Sequence, residues 1–515
     1  MSFRWVFAQQ GEDVRTSALE QKLGVPAKIA ELLAIRGIET YDDAKLFFRP
    51  TIDRIHDPFL MKDMDQGADR LALAIRNGER VLVYGDYDVD GASSSALLAR
   101  YLRFFGIDVQ IYIPERIFEG YGPNPAAMRE LASAASLIVT VDCGTNSAEA
   151  FGAVEGSPTD IVVIDHHQVG GPLPAVTAVV NPNRDDDLSG LGHLCAVGMV
   201  FMTLVDVSRQ LRGHGVSPLP DLLSMLDIVA LGTVCDVVPL TGLNRAFVTK
   251  GLIAARHLGN PGLSALARVA SIGEPLNPFH FGFLIGPRIN AGGRIGNAAL
   301  GATLLCEEDT NRAAEIAEEL DRLNRERQVM ETEMVADACA EADRDLASSA
   351  PPSVIVTSST SWHPGIVGLI AARLKEYTRR PAFAIALDGS GKGTGSGRSI
   401  PGFDMGKLVR AAVDEGILIK GGGHAMAAGI TVERDRLGDL RAFFEEKAGS
   451  AVTSILENET LSVDGALSAR GANLAMIGEL EKAGPYGSGN PEPLFVLPNH
   501  RVTSSAVVGS SAIKS

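Results

Sequence analysis

The sequence predicts an α/β protein. A parallel sheet covered by helices is joined by a long helix to a second α/β unit, and the start of a small β unit follows. Three observations carry this. Between residues 81 and about 185, β-branched runs (Val81–Tyr84, Val109–Ile113, Leu137–Val141, Ile161–Ile164) alternate with helical stretches such as Ser93–Phe105. That is the βαβ rhythm of a parallel sheet covered on both faces. The stretch Glu307–Arg344 is rich in Ala, Glu, Arg, Asn and Asp and holds no Gly or Pro, so it reads as one long, largely exposed helix bridging two domains. After SSAPP at 348–352, a second strand–helix rhythm begins with strands near Val354–Thr357 and Pro381–Leu387.

In chain order, residues 1–75 read as a polar helical region with turns at Arg36-Gly37 and Asp57-Pro58. Residues 76–305 hold the first α/β domain, with a mostly helical, apolar section at 195–260. Residues 306–350 form the connecting helix and 351–458 the second domain. There the Gly-rich GSGKGTGSG matches neither a P-loop nor a dinucleotide fingerprint and reads as a flexible connection. Residues 459–515 form a last small unit ending in a Ser-rich tail, SSAVVGSSAIKS.

A chain of 515 residues suits two to four domains, and 45% hydrophobic with 21% charged residues suits a soluble globular protein. No apolar run is long enough to span a membrane or serve as a signal peptide. The five cysteines form no Cys-x-x-Cys, so reduced thiols of a cytoplasmic protein are expected rather than disulfides or a zinc site. The net charge of −16 argues against a broad nucleic-acid surface but leaves room for a local basic groove.

The chemistry lies at the strand ends. VLVYGDYDVDG places Asp86, Asp88 and Asp90 after the first strand, IVTVDCG places Asp142, and IVVIDHH places Asp165, His166 and His167; LDIVALGTVCDVVPL adds Asp227 and Asp236. Residues just past the C-terminal ends of parallel strands converge on one crevice. Asp88, Asp90, Asp142 and His166, with Asp227 or Asp236, would share it. One strand ending in Asp says little, because Asp often caps the next helix. Three such ends, one with a double His, point to a metal site. Clustered carboxylates repel one another unless a cation compensates them. The set exceeds one tetrahedral zinc and suits two octahedral ions, Mn²⁺ or Mg²⁺. Two ions about 3.5–4 Å apart would activate a water as hydroxide and stabilise the leaving oxygen of a phosphoester.

GDYDVDG, VDCG, DHH and LGTVCDVVPL resemble the four motifs of the DHH phosphoesterase family. LAIRGIETYDDAKLFFRP, DPFLMKDM, GPRINAGGRIGNA, SWHPGIVGLIAARL, SGRSIPGFD, GGGHAMAAGIT and PYGSGNPEPLF resemble its branch of single-strand-specific 5′→3′ DNA exonucleases, from about residue 30 to 497. The resemblance implies a DHH domain, a DHHA1 domain and an OB-like domain. It implies Asp88, Asp90, Asp142, His166 and Asp236 as metal ligands, with Asp142 bridging both ions. Asp86 stands where other members of the superfamily have a ligand histidine. His167 would contact the scissile phosphate or a nearby ligand, and Asp165 would orient a histidine. Asp236 is preferred to Asp227, which sits among apolar residues.

For DNA and phosphate contact the resemblance points to Arg288, Asn290 and Arg294, and to Arg398, Ser399, Gly422, Gly423 and His424 across the groove. Trp362 and His363 would either stack on a base or pack at the domain edge. An OB fold needs five strands, yet only about twenty residues follow Phe495, so a truncated or unusual last domain is expected. The activity implied is metal-dependent 5′→3′ hydrolysis of single-stranded DNA in repair and recombination, by a monomer working beside a single-strand-binding protein and a helicase. The rivals are another DHH phosphoesterase, cutting oligoribonucleotides or cyclic dinucleotides, and a silent DNA-binding scaffold. The former typically lack GPRINAGGRI and PYGSGNPEP, and the latter would lose metal-site residues.

Overall fold

The computed structural model describes residues 4–8, 13–52, 60–115, 119–501 and 503–504. The Asp57-Pro58 turn and almost all of the Ser-rich tail lie outside the described residues. The chain divides into two compact units, residues 52–458 and a smaller one built from residues 1–51 and 459–515.

In the large unit, five parallel strands form a sheet in the order Val109–Tyr112, Val81–Tyr84, Leu137–Val141, Asp160–Ile164, Ala178–Val180. Alternation along each strand assigns its side chains to the two faces. Val81, Val83 and Val139 pack with Leu97, Leu98 and Val200. Leu82, Tyr84 and Ile138 pack on the other side with Met128 and Phe151. Helix Met64–Asn77, which the sequence grouped with the N-terminal region, also joins this sheet. Its Gly67 leaves room for Val180, whose Cγ2 lies 3.1 Å from where a Cβ would stand.

Helix Thr310–Leu346 is a single element of 37 residues, about 55 Å long at 1.5 Å per residue. Asp309 caps it by accepting from the backbone amides of Asn311 and Arg312, both at 2.8 Å. It is less exposed than its composition suggests. Ala313, Ile316, Ala317 and Leu320 belong to the first core, while Met334, Ala338 and Ala342 belong to a core of the second domain. One helix is thus shared by two hydrophobic cores.

The second domain is a five-stranded sheet in the order Lys420–Gly423, Ala427–Glu433, Lys392–Arg398, Ala382–Leu387, Ile355–Ser359. Only the last pair is parallel. The Gly-rich segment expected to be a flexible connection is the central strand Lys392–Arg398. Gly393, Gly395 and Gly397 recur at period two, and their face is buried. A Cβ on Gly397 would stand 2.5 Å from Met405 Sδ and from Phe383 Cε1. Glycine here makes room for neighbouring side chains, and a pattern without apolar alternation hides the strand.

In the small unit, the region expected to be helical contains helices Asp13–Leu23, Ala27–Ile35 and Tyr41–Phe48, but begins with strand Arg4–Phe7. That strand pairs in parallel with Thr460–Val463, a partner no local pattern reveals. Arg36 fastens the unit through a 2.9 Å ion pair with Asp464, and Leu19, Ala30, Leu33 and Ala44 form its core. Among the described residues after 463, Gly465–Ala466 and Phe495–Val496 pair as two short strands.

Candidate metal centre

The site is assembled at the C-terminal ends of three adjacent strands. Asp86 to Asp90 follow Val81–Tyr84, Asp142 follows Leu137–Val141, and Asp165 to His167 follow Asp160–Ile164. Asp88 caps helix Val89–Phe104, its Oδ1 accepting from the amides of Asp90 at 2.9 Å and Gly91 at 3.1 Å. Asp90 is buried, and its carboxylate accepts from the amides of Ala196 at 2.6 Å and Val197 at 3.0 Å. Those donors open helix Ala196–Gly213, whose N-terminus favours negative charge. Asp142 is buried in a left-handed conformation, φ 62°, uncommon for a residue with a Cβ and typical of functional positions.

Helix Leu226–Cys235 delivers Asp236 at its C-terminal end. It comes close because Gly232 has no side chain; a Cβ there would stand 2.9 Å from Asp90 Oδ1. Asp227 lies nine residues earlier, roughly 13 Å along the helix. It is buried, and its Oδ1 accepts from the Ile228 amide at 2.8 Å. The geometry therefore brings Asp236 into the crevice and leaves Asp227 outside it.

His166 Nε2 faces three carboxylates: Asp142 Oδ1 at 3.3 Å, Asp236 Oδ2 at 3.8 Å and Asp90 Oδ2 at 3.9 Å. Three donor groups lie within metal-binding reach of one another: Asp86, Asp88 and Asp142; Asp142, His166 and His167; and Asp90, Cys195 and Asp236. They overlap through Asp142, and the His166 contacts tie in the third. Cys195 was not expected here, because its sequence neighbours carry no metal motif. It is buried, and burial, followed by the charges of Asp90 and Asp236, pushes its thiol well up, so it stays a protonated neighbour of the oxygen donors.

The electrostatics require compensation. Burial, and then their mutual repulsion, raises Asp90 to about 7, Asp236 to about 9 and Asp142 well above the carboxylate range. Asp165 goes the other way. Burial would raise it, but the His167 ring and Thr145 outweigh that and lower it. Asp165 accepts from the His166, His167 and Thr145 amides at 2.7, 3.2 and 3.0 Å, and its Oδ1 lies 2.8 Å from His167 Nδ1. The two histidines diverge. Burial, and then the charge of His167, lowers His166 to about 4, leaving it neutral with a free lone pair. Burial opposes protonation of His167 too, but Asp165 outweighs it and raises the ring. A carboxylate-rich crevice with one neutral imidazole fits oxygen-preferring divalent cations such as Mn²⁺ or Mg²⁺.

Sequence reasoning missed the groups that hold this loop. The Tyr121 hydroxyl donates to the Asp142 carbonyl at 3.0 Å and lies 3.2 Å from the His167 ring nitrogens. Asn183 donates to the His166 carbonyl and Asn181 to that of His167, at 2.5 and 2.9 Å. The one local signal for Tyr121 is its place between Gly120 and Gly122.

The residues expected to grip DNA are dispersed. Arg288 is committed to the long helix, paired with Asp321 at 2.9 Å and donating to the Leu284 carbonyl at 2.6 Å. Arg294 donates to the Gly365 carbonyl at 3.2 Å, and Asn290 and Arg294 line one cleft. Arg398 donates to Ser396 Oγ at 2.9 Å. Ser399, just past the end of strand Lys392–Arg398, is buried, and its hydroxyl donates to the Phe403 carbonyl at 2.7 Å. Gly422 and Gly423 end a strand, and exposed His424 starts the hairpin turn, its amide donating to the Ala427 carbonyl at 2.8 Å. Trp362 is packed, its Nε1 donating to Asp337 at 3.0 Å, and His363 Nδ1 accepts from the Gly365 amide at 3.1 Å.

Comparison with known proteins agrees with this architecture. Residues 80–233 match the DHH family N-terminal domain, 352–450 the DHHA1 domain, and 463–514 the RecJ OB domain. The single-stranded-DNA-specific exonuclease RecJ of Escherichia coli is 33% identical over 98% of this chain and 90% of its own length. That of Bacillus subtilis is 34% identical over 99% of this chain, which spans 63% of that relative. A crystal structure of RecJ from Thermus thermophilus in complex with Mn²⁺ superposes with a TM-score of 0.82 at 30% identity, over 96% of this chain and 69% of that one. The chain belongs to the RecJ family of single-stranded-DNA-specific exonucleases, within the DHH phosphoesterases.

Proposed function

We propose that the protein is a divalent-cation-dependent exonuclease that hydrolyses phosphodiester bonds of single-stranded DNA from the 5′ end. The observation that carries this is the convergence of carboxylates, raised by burial and then by their own repulsion, around the neutral imidazole of His166. Asp86, Asp88, Asp90, Asp142, His166 and Asp236 would hold two Mn²⁺ or Mg²⁺ ions, with Asp142 between them. When bound, such ions supply an activated water and stabilise the leaving oxygen.

The remaining work belongs to the chain's own groups. The amides of Ala196 and Val197 fix the Asp90 carboxylate. Asp165 and Tyr121 hold the His167 ring, whose positive charge would meet a phosphate oxygen. Arg294, Arg398 and His424 would hold phosphates of the strand, and Arg288 would act indirectly by fixing the helix that carries Arg294. The same reading makes the protein a cytoplasmic monomer working beside a single-strand-binding protein and a helicase. Sedimentation and co-purification test those points.

A 5′-labelled single strand and the matching blunt duplex, each incubated with Mn²⁺ or with EDTA, test the activity. Single-strand degradation that EDTA abolishes is expected. Cation-independent cutting, or preference for duplex, would sink the proposal. Faster turnover of a short oligoribonucleotide or cyclic dinucleotide would favour the other DHH phosphoesterases.

A further inference from the structure

Outside the metal centre, Phe279 and Phe283 form a stacked aromatic pair, with centroids 5.1 Å apart and ring planes at 25°. Phe279 immediately precedes the π-helical segment His280–Ile285 and Phe283 lies within it, a geometry that recurs at functional sites. Phe283 is 68% exposed and Phe279 49%. Paired rings left in water commonly mark a binding surface.

Phe283 borders a cleft of about 740 Å³ where helix Gly286–Ile295, the middle of helix Thr310–Leu346 and helix Val367–Thr378 meet. Its charged lining is Arg294, Arg327 and Arg373 against Glu331, and Asn290 adds an amide. Glu331 pairs with both Arg327 and Arg373, which holds the two guanidinium groups side by side; Arg373 also meets Glu376 at 3.1 Å. In a chain of net charge −16, this cleft is locally basic. It adjoins the metal centre through one helix. Gly293 packs against Tyr87, between Asp86 and Asp88, and a Cβ there would stand 2.7 Å from the Tyr87 carbonyl oxygen. Asn290 and Arg294 lie on the neighbouring face of that helix, about a quarter-turn away at roughly 100° per residue.

We propose that this cleft is a second nucleotide subsite, holding the substrate strand at a distance from the metal centre. One base stacks on Phe283, supported from behind by Phe279, and a phosphate meets the guanidinium group of exposed Arg373, with buried Arg327 holding Glu331 behind it. Every base presents a π-face, so the contact is indifferent to sequence, and guanidinium suits phosphate through paired N–H donors. The proposal rests on the nuclease reading above and adds to it a length requirement: only a strand long enough to reach the cleft gains from it.

The test compares wild type with the Phe279→Ala/Phe283→Ala double variant and with Arg373→Gln. Probes are a 20-nucleotide single strand carrying 2-aminopurine, bound in EDTA, and a dinucleotide turned over in Mn²⁺. Both phenylalanines are exposed, so the melting temperature is expected to hold and serves as the folding check. The double variant is expected to bind the long strand about 5- to 100-fold more weakly and to lose stacking-induced quenching, with dinucleotide turnover unchanged. Arg373→Gln is expected to weaken long-strand binding and flatten its salt dependence. Long-strand affinity within twofold of wild type in the double variant overturns the subsite. So does an equal loss on both substrates. If wild type neither binds nor cuts single strands, the nuclease reading itself fails.

Discussion

Lowering the pH from 8 to 6 is expected to strip cations from the site by a calculable amount. In the cation-free protein Asp236 is raised to about 9 and Asp90 to about 7, so both carry protons over part of this range that a metal must displace. Asp236 stays protonated throughout, which costs tenfold in apparent Mn²⁺ affinity per pH unit, about 100-fold over two units. Asp90 adds roughly another tenfold below pH 7. These two together give about 1000-fold, or about 4 kcal/mol at 1.36 kcal/mol per unit, and Asp142, raised well above the carboxylate range, adds to that loss. His166, lowered to about 4, remains neutral and adds nothing.

The sign for folding is opposite in the two forms. Carboxyls raised in the folded state stabilise it at low pH, and that stability is lost as pH rises through about 7 and then about 9. Cation-free protein should therefore melt lower at pH 8 than at pH 6, and protein with excess Mn²⁺ the reverse. Calorimetric titration with Mn²⁺ in buffers of different ionisation enthalpy counts the protons released, and melting curves give the stability slopes. A Mn²⁺ affinity changing less than threefold between pH 6 and 8, with no proton release, would refute the reasoning.

Asp142→Ala is expected to abolish nuclease activity while single-strand binding, measured by anisotropy, survives; lost binding with retained turnover would show the residue misassigned. Asp236→Asn should lower turnover more than about 100-fold, whereas Asp227→Asn, outside the crevice, should stay within a few-fold; the opposite order would exchange their roles. Tyr121→Phe removes the hydroxyl that touches the Asp142 carbonyl and the His167 ring, so kcat should fall about 10- to 100-fold with KM little changed. Steady-state kinetics decides, and an unchanged kcat would reduce Tyr121 to packing. Gly395→Val would place a Cβ 2.8 Å from Ile430 Cγ1 and 2.9 Å from Ile385 Cγ1, costing about 1–3 kcal/mol by overpacking; an unchanged melting temperature would contradict that packing.

The metal centre was legible because its donors sit where parallel strands end, and βαβ periodicity makes those ends visible in one dimension. Asp88, Asp90, Asp142 and His166 needed no knowledge of long-range packing to be grouped, and Asp86 was added by the family resemblance. Asp236 was already preferred to Asp227, which sits among apolar residues, but the Gly232 that lets this helix end approach Asp90 has its meaning only in space. Tyr121, Asn181 and Asn183 act on backbone carbonyls, a role that leaves no motif. The burial of Ser399 was not legible, because packing, and not residue type, determines whether a hydroxyl is free. The strand Lys392–Arg398 was hidden because its inward positions are glycines, so the alternation that marks other strands is a contrast of side-chain volume there and not of polarity.

The pairing of Arg4–Phe7 with Thr460–Val463 has a consequence for synthesis. Residues 4–7 must wait for a partner that follows residues 52–458 in the chain. At roughly 5–20 residues per second, that interval is on the order of 20–80 s. Throughout it Trp5 and Phe7, which remain 63% and 55% exposed even in the finished fold, have no strand beside them. The two α/β domains can fold first, and the small unit closes last, as a clasp made from both sides of the chain. A truncation just before residue 460 would remove that strand's partner without removing a single group at the metal centre.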